Sequence, residues 1–157
     1  MDLCDRNDIQ ALLVRHGFHF AKALGQNFLI RGDVAEDIAA AGCVPGCGVL
    51  EVGPGIGALT VQLARRAEKV VSVELDKRLP PVLAETMADY DNFTLIEGDV
   101  MALDLAAVTA EKFPGLPAVL CANLPYNITT PFLTACVRAG CFRQLTVLIQ
   151  KEVALRI

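Results

Sequence analysis

The chain has 157 residues, 54% of them hydrophobic, and a formal net charge of −4. That length suits one ordinary domain, and that apolar content excludes an intrinsically disordered segment. The acidic balance excludes a broad basic face for gripping phosphates, and no apolar stretch is long enough to span a membrane.

Asn7 to His16 reads as a short amphipathic helix closed by Gly17. An irregular stretch follows, Phe18 to Ile30, and holds Gly25-Gln26-Asn27-Phe28. Asp33 with Glu36 three residues later reads as a capping box, opening a helix that runs to about Ala41. Gly42, Pro45, Gly46 and Gly48 then break the chain. From there strands and helices alternate. Strands are predicted at Val49–Gly53, Val70–Asp76, Phe93–Gly98, Ala118–Ala122 and Leu145–Gln150. Helices are predicted at Ala58–Arg66, Leu79 to about Tyr90, Leu105–Lys112 and Pro131–Ala139. The strands are continuous apolar runs, as a parallel sheet covered on both faces requires. Five strand–helix units in series predict an open, mostly parallel α/β sheet with right-handed crossovers. Lys151 to Ile157 reads as the opening of a further helix, so a longer native chain is expected.

Six cysteines are present: Cys4, Cys43, Cys47, Cys121, Cys136 and Cys141. Cys43-x3-Cys47 and Cys136-x4-Cys141 lack the CxxC spacing and neighbouring histidines of a zinc site, so no metal is expected. Met1 to Gln10 carries Asp2, Asp5, Arg6 and Asp8, which no signal peptide would. A cytoplasmic protein with reduced thiols is the expectation.

Glu51-Val52-Gly53-Pro54-Gly55-Ile56-Gly57-Ala58 lies between the first strand and its helix. Glycines there let the backbone approach a ligand closely. The pattern fits a dinucleotide fingerprint, an acidic-x-Gly-x-Gly-x-Gly methyltransferase loop, or a structural turn. Glu74 ends the second strand about 20 residues on, where a carboxylate can accept from both ribose hydroxyls. It could equally be an exposed strand-end acid. Asp99 follows the third strand, placed either to read an adenine amine or to cap the next helix. Asn123-Leu124-Pro125-Tyr126 follows the fourth. An amide and a neighbouring carbonyl can accept from an exocyclic amine, and the Tyr126 ring can stack on a base. The plain alternative is a strand-ending Asn-x-Pro turn. Four consecutive strand ends thus carry polar residues at the edge where open α/β sheets bind ligands.

Lys22 to Leu29, Glu51 to Thr60, Val73 to Asp76, Gly98 to Val100, Asn123 to Ile128 and Gln150 to Ala154 occur in that order. With these blocks the whole chain resembles the ribosomal RNA adenine dimethyltransferases that act on small-subunit RNA. The Gly-Gln-Asn-Phe and Asn-Leu-Pro-Tyr blocks are the specific ones. The resemblance implies a Rossmann-like methyltransferase domain spanning 1–157, without the last strands and helical C-terminal domain of family members, and it implies S-adenosylmethionine as cofactor. Asn27 and Leu29 would close over it, and Gly53 and Gly55 would lie against its methionine end with Glu51 nearby. Glu74 would hold the ribose, Asp99 and Val100 the adenine, and Asn123 both cofactor and target base. Asn123, Leu124 and Tyr126 would form the catalytic set. The implied partner is ribosomal RNA in small-subunit precursor particles, met by a monomer. Much of the RNA grip would lie in the absent domain, so weak turnover is expected of this chain alone.

Three rivals remain at this level. Related large-subunit methyltransferases of the antibiotic-resistance type usually carry Ser before Gln-Asn-Phe and often Ile in the Asn-x-Pro block, against Gly25 and Leu124 here. A nicotinamide oxidoreductase would leave Asn123 to Tyr126 idle. A non-catalytic assembly factor with the same fold would bind without turnover.

Overall fold

A computed structural model describes residues 1–19, 30–124, 127–149 and 154–155. Asn27, Leu29 and Tyr126, and the helix opening at Lys151, lie outside the described residues.

Helix α1 spans Arg6–Arg15. The Asp5 carboxylate caps it by accepting from the Asn7 and Asp8 N–H groups, both at 3.0 Å. It ends in a Schellman motif: the Phe18 N–H donates to the Leu13 carbonyl at 2.9 Å and the Gly17 N–H to the Val14 carbonyl at 3.1 Å. Helix α2 spans Gly32–Gly42, and here the expected capping box does not form. The helix begins earlier, with Arg31 as N-cap and no side-chain cap bond. Asp33 therefore lies inside the first turn, where the helix dipole favours a carboxylate. Its oxygens accept from the Arg31 guanidinium at 3.1 and 2.7 Å.

The remaining elements alternate: β1 Gly48–Val52, α3 Ala58–Ala64, β2 Lys69–Glu74, α4 Pro80–Thr86, β3 Phe93–Glu97, a 3-10 turn at Val100–Ala102, α5 Leu105–Lys112, β4 Ala118–Asn123, α6 Thr129–Ala139 and β5 Leu145–Leu148. The strands form one parallel sheet in the order β3-β2-β1-β4-β5. This is the open, helix-covered parallel sheet that the apolar runs predict. The helices α3 and α4 are each shorter than read from the sequence, ending at Ala64 and Thr86.

Side chains alternate across the sheet. Leu50, Val52, Val71, Val73, Leu120 and Ala122 join one core with Phe113 and Phe132. Val49, Val70, Val119 and Cys121 join the other, with Ala39 of α2, Leu59 and Leu63 of α3 and Leu83 of α4. β1 and nearly all of β2 and β4 are buried, whereas the edge strands β3 and β5 are mostly half-buried. Connections from β1 run outward through β2 to β3, while β4 lies on the other side of β1. The carboxyl ends of β1 and β4 therefore flank a topological switch point, where open α/β sheets leave a crevice.

Candidate functional site

The loop after β1 carries three glycines in the left-handed region: Gly53 (φ 67°), Gly55 (φ 58°) and Gly57 (φ 101°). The Gly53 N–H donates to the Val73 carbonyl and the Gly57 N–H to the Pro54 carbonyl, both at 2.9 Å. The two outer glycines face opposite ways. A Cβ on Gly53 would meet nothing within 4 Å, so this backbone lines open space. A Cβ on Gly57 would lie 3.0 Å from Thr86 Oγ1, because the loop is pressed onto α4 there.

Glu51 lies beneath this loop, not at its mouth. The strand alternation that sends Val49 to the α3 side sends Glu51 there too, beside its register partner Ser72. Its side chain is fully buried and accepts from Thr60 Oγ1 at 3.0 and 2.7 Å and from Ser72 Oγ at 2.8 Å. Burial pushes its carboxyl up to about 7; the two hydroxyl donors pull it down, and the nearby Glu74 carboxylate pushes it further up. Glu51 thus joins β1, β2 and α3 from below.

Glu74 ends β2 with its carboxylate at the crevice. Oε1 accepts from the Gly55 N–H at 3.2 Å and Oε2 from the Asp76 N–H at 3.0 Å. Two backbone donors fix its orientation, and each oxygen keeps a further lone pair for a hydroxyl. Leu75, next in the chain, is 68% exposed and offers an apolar surface beside that carboxylate. Nothing in the strand periodicity singles out Leu75; its one signal in the sequence is an apolar residue directly after a strand-end acid.

The end of β3 is drawn in by the Gly98 N–H, which donates to the Glu74 carbonyl at 2.9 Å. Asp99 is exposed and accepts from the Met101 N–H at 2.9 Å, so it is both an N-cap and an accessible acceptor. The Val100 side chain is buried, leaving only its backbone for a ligand. On the far side of the switch point, Asn123 is exposed at the end of β4. Leu124 sends its side chain into the core and its N–H to the Leu148 carbonyl at 3.1 Å. Glu51, Gly53, Gly55, Glu74 and Asp99 thus gather at the ends of β1, β2 and β3, and Asn123 and Leu124 face them from β4.

All six cysteines are free thiols, with Cys47, Cys121 and Cys136 buried. Burial pushes Cys43 up to about 12 and Cys136 to about 11, which keeps both protonated and unreactive. Among the described residues no three His, Cys, Asp or Glu side chains come together as a metal set, and no helix is long and apolar enough to cross a membrane.

Residues 17–157 match the family described as ribosomal RNA adenine dimethylase. A protein of Geobacillus thermodenitrificans named "Ribosomal RNA small subunit methyltransferase A" is 46% identical over 99% of this chain and 54% of its own length. A protein of the same name from Streptococcus gordonii is 46% identical over the whole chain and 55% of its own length. The chain therefore spans about half the length of these curated relatives. Among solved structures, the 23S rRNA methyltransferase ErmE superposes with a TM-score of 0.68 at 31% identity, covering 78% of this chain and 47% of that one. A dimethyladenosine transferase from Plasmodium falciparum superposes at 0.64 with 28% identity, covering 79% and 43%.

Proposed function

The chain belongs to the ribosomal RNA adenine dimethylase family, and from that premise we propose that it forms the cofactor-binding and catalytic part of an enzyme that methylates the exocyclic amine of adenine in small-subunit ribosomal RNA. The observation that carries this reading is the pairing, across one switch point, of a backbone-oriented Glu74 with an exposed Asn123.

The residues present suit S-adenosylmethionine. Gly53 leaves open backbone for its methionine end, Gly55 lies beside it with its N–H on the Glu74 carboxylate, and Glu74 has lone pairs for two ribose hydroxyls. Asp99 can accept from the adenine amine while the Val100 backbone meets the ring edge, and exposed Leu75 can cover the ring face. Glu51 acts at one remove, by bracing the loop. Asn27 and Leu29 complete the set by closing over the cofactor. When bound, S-adenosylmethionine supplies a methyl group activated by its sulfonium.

The target amine is a poor nucleophile because its lone pair is delocalised into the purine. The Asn123 amide oxygen and the Leu124 carbonyl accept its hydrogens and hold the nitrogen pyramidal. Core burial of the Leu124 side chain makes that carbonyl a fixed acceptor. Tyr126 stacks on the extruded base, worth about 1–3 kcal/mol. Holding both reactants in line contributes about 7–11 kcal/mol more. No strong base is required, since the nitrogen becomes acidic once alkylated. The enzyme acts as a monomer in the cytoplasm, where six free thiols stay reduced, on precursor particles of the small subunit.

The large-subunit alternative has the ErmE likeness behind it, but the 46% identity to small-subunit enzymes exceeds the 31% identity to ErmE. The test is methyl transfer by the full natural gene product, with radiolabelled S-adenosylmethionine and either immature small-subunit particles or large-subunit RNA as acceptor. Label in dimethyladenine of the small-subunit RNA is expected. Label confined to large-subunit RNA would select the alternative. Absence of label together with no heat of S-adenosylhomocysteine binding would overturn the reading.

A further inference from the structure

Ile56 stands between Gly55 and Gly57, yet it is 1% exposed and turned away from the crevice. It packs with Ile9, Leu12 and Leu13 of α1, with Phe18 just beyond that helix, and with Leu79 and Val82 of the α4 region. A second line leaves the same segment. The Arg78 guanidinium lies 4.9 Å from the centroid of the Phe18 ring. Arg78 in turn forks onto Asp76, with contacts of 3.0, 3.2 and 2.7 Å. The Asp76 N–H holds one oxygen of Glu74, whose other oxygen holds Gly55. Helix α1 is itself fastened to α4 through Glu85, which accepts from Arg15 at 2.7 Å and meets His16 at 2.5 Å.

We infer that α1 is the seat of the cofactor loop, with Ile56 and Phe18 as the positioning residues that hold its glycines in the ligand-facing form. This inference rests on the cofactor site proposed above and adds an element to it: α1 lies ahead of residue 17, where the family match begins. The physical reason is entropic. A run with three glycines loses more conformational freedom on ordering than a run of the same length without them. Gly53 is exposed and a Cβ there would meet nothing within 4 Å, so its order must be imported; of the loop's two buried side chains, Pro54 and Ile56, it is Ile56 that packs on α1. Loosening its socket lowers the fraction of loops competent to bind and raises the apparent Kd by that fraction.

The experiment uses the full natural gene product and two readouts. Amide hydrogen exchange across 53–58 is measured without ligand, and S-adenosylhomocysteine binding is measured by calorimetry. Ile56→Ala and Leu12→Ala should each speed exchange in the loop and raise Kd about tenfold, the factor for a loop competent in roughly a tenth of molecules. Exchange in β4 should stay as in the parent, and Ile56→Leu should restore both readouts. Phe113→Leu, in the opposite core, serves as the matched loss of stability and should leave loop exchange unchanged. Should Ile56→Ala fail to fold, the milder Phe18→Leu replaces it with the same expectation. Loop exchange no faster than in the parent in these variants, or speeded as much in Phe113→Leu as in Ile56→Ala, would overturn the inference. A parent that binds no S-adenosylhomocysteine would overturn the cofactor reading, while the exchange data still decide whether α1 seats the loop.

Discussion

Glu51 and Asn123 show how differently two polar residues near one crevice can be placed. Glu51 is buried and holds its proton up to about pH 7, so its raised value makes a stability prediction. A carboxyl raised from 4.5 to about 7 contributes stability that is complete below pH 4.5 and lost as pH rises through 7. The size is of order 3 kcal/mol. Glu51→Gln keeps an acceptor and adds a donor for the Thr60 and Ser72 hydroxyls without that titration. Chemical denaturation from pH 5 to 8 should therefore show the parent losing stability relative to the variant; parallel profiles would exclude a titrating Glu51. Asn123, by contrast, is exposed, so Asn123→Ala should leave the melting temperature nearly unchanged. Single-turnover methylation should fall by roughly 10²–10³, the usual cost of removing one preorganised polar group at a reacting centre. The positions of Asn123, Glu74 and Asp99 were legible in the sequence because strand ends deliver polar residues to one edge. The partners of Glu51 were not, since Thr60 and Ser72 meet it only through sheet register and helix packing.

Among elements, the glycine loop has an open side at Gly53 and a packed side at Gly57. Gly53→Ala puts a methyl into open space at a φ of 67°. It should cost about 1 kcal/mol of backbone strain but weaken S-adenosylhomocysteine binding far more than that, because the methyl stands in the crevice. Gly57→Ala has a φ of 101° and a contact 3.0 Å from Thr86 Oγ1. It should lower stability by about 1–3 kcal/mol and affect binding only through that loss. Denaturation and calorimetry on the two variants give opposite orders for the two effects; the same order for both would remove the division. Helix α2 shows the limit of local signals. Asp33 and Glu36 carry the spacing of a capping box, yet the helix starts ahead of them and Asp33 pairs with Arg31 instead. A cap pattern identifies a helix start only where the preceding residues cannot themselves take helical geometry, and Gly32 can.

At the scale of the whole molecule, the acidic balance and the crevice are separate facts with a common consequence. A net charge of −4 gives the chain no general attraction for phosphates, so the proposed recognition would act within it on the base and not on the backbone. The sheet order opens a crevice between β1 and β4, with Glu74 and Asp99 beyond one side of it and Asn123 on the other. Unbroken apolar runs, strand–helix alternation and polar strand ends are periodic or positional properties, and they were enough to determine the parallel α/β class and the sheet edge at which Glu74, Asp99 and Asn123 lie. Which side chains face outward, and what holds the loop in place, depended on contacts between residues far apart in the chain. Ile56 reads as an incidental residue between two glycines until α1 is folded against it, and Glu51 reads as an acid beside the glycine loop until Thr60 and Ser72 are found bonded to it. Only tertiary packing decides between a side chain that touches a ligand and one that holds the residue that does, because the two can share the same position in a motif.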